Sequence, residues 1–302
     1  MPTDSQQLHP PFPLIRGKLK EGRVIPFLGA GASLGTRKPE SAWKKGTVSF
    51  LPNASELTSH LAIETSFPPG ETAELSKVAQ YFNVVGGRDA LDQELHAIFN
   101  ALYDPSPLHT FLAAAPAPLL IVTTNYDDMV EQALRAAGRP FDLIVHTTDV
   151  KLGYRLLWWQ HGESEPHEVN QKEIDIDLDK VTVLYKMHGA VDRQLATRDQ
   201  YVITEDDYIE FLSRMTKNKA IPNIFAEPFQ TRHFLFLGYG LRDWNLRVVL
   251  NRVEKDIGRT KGIKSWAIQR DPSPLERRFW QDRGVEVFDL SLDEFVAKLS
   301  GP

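Results

Sequence analysis

The sequence predicts an α/β fold of the Rossmann-like kind: a parallel sheet flanked by helices, with an inserted helical module. Three observations predict it. Short runs that are apolar on both faces recur along the chain, as strands covered from two sides require. Helical stripes follow several of these runs. Two runs end in glycine-rich turns, "FLGAGAS" from Phe27 and "FLGYG" from Phe236.

The strand-like runs fall at residues 24–28, 119–122, 143–146, 181–185, 233–237, 265–268 and 285–288. Helical spacing follows the second run, at Met129, Val130, Ala133, Leu134 and Ala137, and the fifth, at Leu246, Val249, Leu250 and Val253. The last helix starts at Ser291 as N-cap, with Glu294 three residues on as a capping box, and buries Leu292, Phe295, Val296 and Leu299. Between the first two runs lies a long excursion, about 36–118, with no good strand and a helical stripe at Leu91, Leu95, Ile98, Phe99 and Leu102; it reads as the inserted helical module. A second excursion, about 158–180, is acidic and without a clear period, and reads as a solvated loop or hairpin. The pattern uses nearly all 302 residues, so a single domain is expected.

Composition narrows the function. A formal charge of -5 argues against an electrostatic grip on nucleic acid or an anionic membrane. No stretch approaches the roughly 18–20 apolar residues of a membrane span, and the opening residues lack a secretory apolar core, so a cytoplasmic protein is expected. The chain has no cysteine, which removes disulfides, thiolate nucleophiles and cysteine zinc sites; no metal is expected.

In an open parallel sheet, ligands sit beyond the carboxyl ends of the strands. Four such places stand out. In "FLGAGAS", Gly29, Ala30, Gly31, Ala32 and Ser33 can bring backbone N–H groups to an anion, yet the spacing is neither G-x-G-x-x-G nor a P-loop. A small-residue turn needed for tight packing would look the same. In "LLIVTTNYDDMV", Thr123, Thr124, Asn125, Asp127 and Asp128 crowd a strand end, although one of them is enough to cap the helix that follows. "YKMHGAVD" places His188 at a strand end, as a structural or a catalytic histidine. "FLGYGLRDW" repeats the opening logic, with Gly238, Tyr239 and Gly240 in the turn and Asp243 as a cap or a ribose ligand.

In this order the four stretches resemble the sirtuin family, and particularly the sirtuin-like domains of bacterial antiphage defence systems. "GAGAS", "TTNYDD", "MHG" and "GYGLRD" carry the resemblance, with "YVITEDDYIEFL" close to the defence-type branch. It implies an NAD-binding site in which residues 29–33 hold the dinucleotide phosphates and Asn125 and His188 face the nicotinamide ribose. Thr124 and the turn at Gly238, Tyr239, Gly240 and Asp243 would contribute nucleotide contacts, and Asp127 would stabilise charge or steer nicotinamide. The chemistry agrees: the leaving nicotinamide already carries positive charge, so no general acid has to protonate it. His188, with an ordinary pKa near 6.5, would accept a proton near neutral pH.

The chain departs from deacylating sirtuins in lacking the four cysteines of their zinc module. Water therefore replaces an acyl-lysine peptide as the expected acceptor, giving NAD hydrolysis to nicotinamide and ADP-ribose. A protein acceptor and a non-catalytic NAD or ADP-ribose sensor are the alternatives. A free NAD hydrolase is toxic to its host, so restraint by homo-oligomerisation or by a separate sensor or ATPase subunit is expected; the acidic excursion, Trp158 and Trp159 are interface candidates, although ordinary core packing suits the two tryptophans better.

Overall fold

The computed structural model describes residues 9–35, 37, 40–148, 155–216, 221–239 and 263–301. The helical stripe expected at 246–253, and Gly240 and Asp243, lie outside the described residues.

Eleven strands are present among the described residues: β1 Val24–Leu28, β2 Leu120–Thr123, β3 Phe141–His146, β4 Leu156–Trp159, β5 His167–Val169, β6 Thr182–Lys186, β7 Gly189–Ala190, β8 Gln200–Tyr201, β9 His233–Leu237, β10 Ser265–Gln269 and β11 Val285–Asp289. Nine form one sheet in the order β11-β10-β9-β1-β2-β6-β3-β4-β5, and β7 pairs with β8. The sheet is parallel from β11 to β3. β4 and β5 turn back antiparallel, so the excursion expected as loop or hairpin is a hairpin that widens the sheet.

The two-sided runs alternate as buried strands must. Ile25, Phe27, Leu120, Val122, Val183, Tyr185, Phe234 and Phe236 face one core. Val24, Leu28, Ile121, Leu184, Leu235 and Leu237 face the other. The first core is covered by α7 Glu205–Thr216, α8 Ala226–Thr231 and α9 Pro274–Gln281. α1 Phe12–Lys20, α5 Pro107–Ala113, α6 Met129–Ala136 and α10 Leu292–Ser300 cover the second. Ser291 caps α10 as expected, accepting from Glu294 N at 3.2 Å.

Between β1 and β2 the chain builds α2 Ala54–Glu64, α3 Leu75–Gly86, α4 Arg88–Phe99 and then α5. Asn53 and Glu56 start α2 with a reciprocal capping box. α2 to α4 enclose a third core of Leu61, Val78, Leu91, Leu95 and Ile98, which reaches Tyr126 and Tyr201. Leu102, expected on this stripe, lies beyond the end of α4 and is 82% exposed.

β1 lies between β9 and β2, and Phe27 at its centre meets the rings of Phe229, Phe234 and Phe236 at centroid distances of 5.4–6.3 Å. Replacing Phe27 with alanine leaves a cavity between sheet and helices. The expected loss of stability is about 3–5 kcal/mol, read as a lower urea midpoint.

Candidate active site

β1 runs out between β9 and β2, where strand order switches direction, so the site begins there. The backbone of the 29–33 turn lies directly on that of residues 237–239. Gly29 N donates to Leu237 O at 3.0 Å and Gly31 N to Gly238 O at 2.9 Å. A Cβ on Gly29 would stand 2.8 Å from Gly238 O and from the Tyr239 ring, and one on Gly31 2.9 Å from Gly238 Cα. Gly238 has φ +75°, and its Cβ would fall 2.2 Å from Ala32 N. The glycines are thus fixed by a backbone-to-backbone clasp, the tight-packing account of the motif. In this conformation the amides of Gly29, Gly31 and Ala32 meet the carbonyls of Leu237, Gly238 and Gly29. Ala30 is the exposed residue of the turn.

The parallel register sets Leu28, Thr123 and Lys186 side by side, so residues 29, 124–125 and 187–188 leave the sheet at one edge. Asn125 Nδ2 donates to Gly29 O at 3.0 Å and to Ser33 Oγ at 3.1 Å. A carbonyl only accepts, so the amide nitrogen must face Gly29 and the Asn125 Oδ1 remains as the acceptor. Ser33 Oγ in turn donates to Asp127 Oδ2 at 2.9 Å, and Asp127 Oδ1 accepts from the N–H of Met129, the first residue of α6, at 3.1 Å. Asp127 is 5% exposed with both oxygens engaged, and it anchors the loop beneath Asn125. Thr124 Oγ1 meets the Tyr239 hydroxyl at 3.2 Å.

His188 follows the same edge but belongs to a different environment. Among the described contacts nothing bonds its ring to Asn125. It is 3% exposed, lies edge-on to Tyr208 and Phe211 of α7 at 5.6 and 5.1 Å, and its Nε2 has no hydrogen-bond partner. Burial pushes the imidazole down to about 3, so the expected proton acceptor near neutral pH is here a neutral ring of low basicity. His146 is likewise held down to about 3 by burial, with Arg214 and His188 adding to the effect.

Sequence reasoning passed over the ions beneath this loop. Lys186, 1% exposed, donates to Glu131 Oε1 at 2.8 Å, to Tyr126 O at 3.4 Å and to Asp127 O. Arg193 forks onto Asp128 at 2.5 and 2.6 Å and reaches Asn100 O at 2.5 Å, tying the loop to the end of α4. The signal was present in "TVLYK": a lysine closing an otherwise buried strand needs an acid nearby, and Glu131 stands on the helix that follows β2. Trp158, for which core packing and an interface were both open, is a core residue whose Nε1 donates to Asp142 at 2.9 Å.

With this geometry in place, a family model described as a SIR2-like domain matches residues 119–288, and the chain belongs to that family. The chain is 25% identical over 279 residues to "Defense-associated sirtuin 2" of Bacillus subtilis, covering 90% of this chain and 23% of that protein. It is 30% identical over 248 residues to "NAD(+) hydrolase ThsA" of Acinetobacter baumannii, covering 78% and 40%. A protein of the same name from Bacillus cereus is 26% identical over 287 residues, covering 93% and 51%. The chain thus spans between about a quarter and a half of the length of these relatives.

The buried histidines make stability depend on pH. Their folded pKa values near 3 lie below the unfolded value of about 6.5, so in that window the unfolded chain binds more protons. Stability present at pH 7 is therefore lost as pH falls through the window. Urea unfolding between pH 6 and 4.5 should show a slope that is smaller in His188→Phe than in the wild type by about 1 kcal/mol per pH unit. Equal slopes would contradict the burial of a neutral ring.

Proposed function

We propose that the chain is an NAD glycohydrolase domain that transfers the ADP-ribosyl group of NAD to water, releasing nicotinamide, ADP-ribose and a proton. The observation that carries the reading is the chain of bonds from Gly29 through Asn125 and Ser33 to Asp127, at the strand ends where an open α/β sheet takes its ligand. Membership of the SIR2-like family and two relatives named NAD(+) hydrolase support it.

In this reading the dinucleotide crosses the clasp at residues 29–33 and Gly238, with the nicotinamide ribose over Asn125. The Asn125 Oδ1 positions the attacking water as the N-glycosidic bond breaks and the electron pair leaves with nicotinamide. Asp127 keeps that amide in place through Ser33. A neutral His188 accepts a hydrogen bond from a ribose hydroxyl, and the proton lost by water passes to solvent. His188 Nε2 is sealed under Tyr208 and Phe211 in this conformation, so turnover requires α7 to shift. That requirement is a physical form of restraint: assembly with further copies or with a sensor subunit would move α7 and expose the imidazole. Such an enzyme works in the cytoplasm, where NAD is abundant, and the defence role belongs to the same proposal.

The sealed imidazole also favours a second reading, a sensor that binds NAD or ADP-ribose without cleaving it. Nicotinamide release from NAD, followed by chromatography, separates the two. Hydrolysis predicts turnover that falls at least a hundredfold, about 2.7 kcal/mol, in Asn125→Ala and in His188→Ala with unchanged circular dichroism. Undiminished turnover in both variants contradicts the site. NAD bound and left intact, whatever partner is added, leaves the sensor.

A further inference from the structure

On the face that carries α6, the sheet continues past the helix as β3 and β4. There the register sets Leu143 opposite Trp159 and Val145 opposite Leu157, and the small apolar cluster they form with Ala190 draws its members from strands alone. Beside it opens a cavity of about 670 Å³ whose wall includes Glu131, Arg135 and Arg139 together with Leu143, Val145 and Trp159. Its lining contains none of Gly29, Asn125 or His188, so it is separate from the site described above.

The wall carries four arginines and four carboxylates, Asp128, Glu131, Glu163 and Asp192, but their pairing leaves two of the arginines over. The cavity's other arginines are matched: Arg193 by Asp128 at 2.5 Å, and Arg198 by Glu165. Arg135 and Arg139 have no carboxylate partner among the described residues; Arg135 lies over the Phe141 ring at 5.8 Å, and Arg139 donates to the Ala115 carbonyl. Their spacing is set by the end of α6. Gly138 takes φ +62°, its N–H meets Arg135 O at 3.0 Å and the Arg139 N–H meets Leu134 O at 2.9 Å, a Schellman turn. Two guanidinium charges there exceed the roughly half negative charge of the helix end. Deeper in the wall, Glu131 is 2% exposed; one carboxylate oxygen takes the Lys186 ammonium, and the other, Oε2, has no hydrogen-bond partner. A buried acceptor left unmatched is costly, and a ligand donor would recover that cost.

We infer that this cavity binds a small anion bearing a flat ring and hydroxyl or amino donors, of the mononucleotide class. The Trp159 and Leu143 pair offers the ring a planar apolar surface. Arg135 and Arg139 take the phosphate, for which the guanidinium fork is suited. Glu131 Oε2 is buried in this conformation, and a turn of its side chain toward the cavity brings it a hydroxyl or amino hydrogen. The cavity volume lies within the range of sites for ligands of this size.

The test is calorimetric titration of the whole chain with AMP, and separately with adenosine and with inorganic phosphate. The expected result is AMP binding at least tenfold tighter than either fragment, weakened at least tenfold in the double variant Arg135→Ala/Arg139→Ala and kept within twofold in Asn125→Ala. Photolabelling with 8-azido-AMP, mapped by mass spectrometry, gives a readout that needs no variant to fold; the label should fall on the peptide that contains Trp159. Absence of AMP binding, unchanged affinity in the double arginine variant, or a label confined to residues 24–34 would overturn the inference. None of these readouts uses NAD cleavage, so they succeed or fail independently of the proposed activity.

Discussion

The backbone contact between Gly31 and Gly238 is the constraint on which the rest of the site depends. Two strands separated by about two hundred residues of sequence end at the same edge, and their connecting turns touch amide to carbonyl at 2.9 Å with no side chain between them. Only glycine permits that approach, and at Gly238 only glycine adopts the left-handed backbone without strain. The contact places Gly29 O where the Asn125 amide can reach it. From there Ser33 and Asp127 follow as a single hydrogen-bonded series.

Under that series lies a second constraint of opposite character. Lys186 and Glu131 are ions in a dry setting, which is costly unless every charge is matched. The lysine satisfies itself on the backbone of Tyr126 and Asp127, so the loop bearing Asn125 is held from below by a charge and from the side by the Arg193–Asp128 fork. Arg193 also reaches the end of α4, and the Tyr126 hydroxyl reaches Val202 O at 2.7 Å. The helical insertion is thereby wired to the loop it overhangs. Glu131 joins this machinery to the cavity beyond α6, since its two oxygens face the lysine and an unmet donor position respectively.

The strand edges and the helices α4, α6 and α10 were legible in the sequence because each is decided by local alternation or by a cap. β1, β6 and β9 are apolar on both faces and nothing else suits them, and α6 begins where its stripe begins. The elements that escaped depend on partners far along the chain. β4 and β5 are strands because β3 offers an edge, and no period in residues 158–180 announces it. The sequence left two accounts of the glycines, an anion cradle and a tightly packed turn, because both demand the same residues; the packing partner, Gly238, is visible only in the fold. For His188 the place on the edge was legible but not the burial, because the rings that seal it come from α7. Lys186 read as one more strand end until Glu131 stood beside it.

One measurement bears most directly on the site: a crystal structure of the chain soaked with ADP-ribose, the product of the proposed hydrolysis, which retains both phosphates and the ribose. The account predicts pyrophosphate density against the turn at residues 29–33 and Gly238, with the terminal ribose within hydrogen-bonding distance of the Asn125 side chain. Density for the ligand at another edge of the sheet, with the clasp and Asn125 untouched, would contradict it.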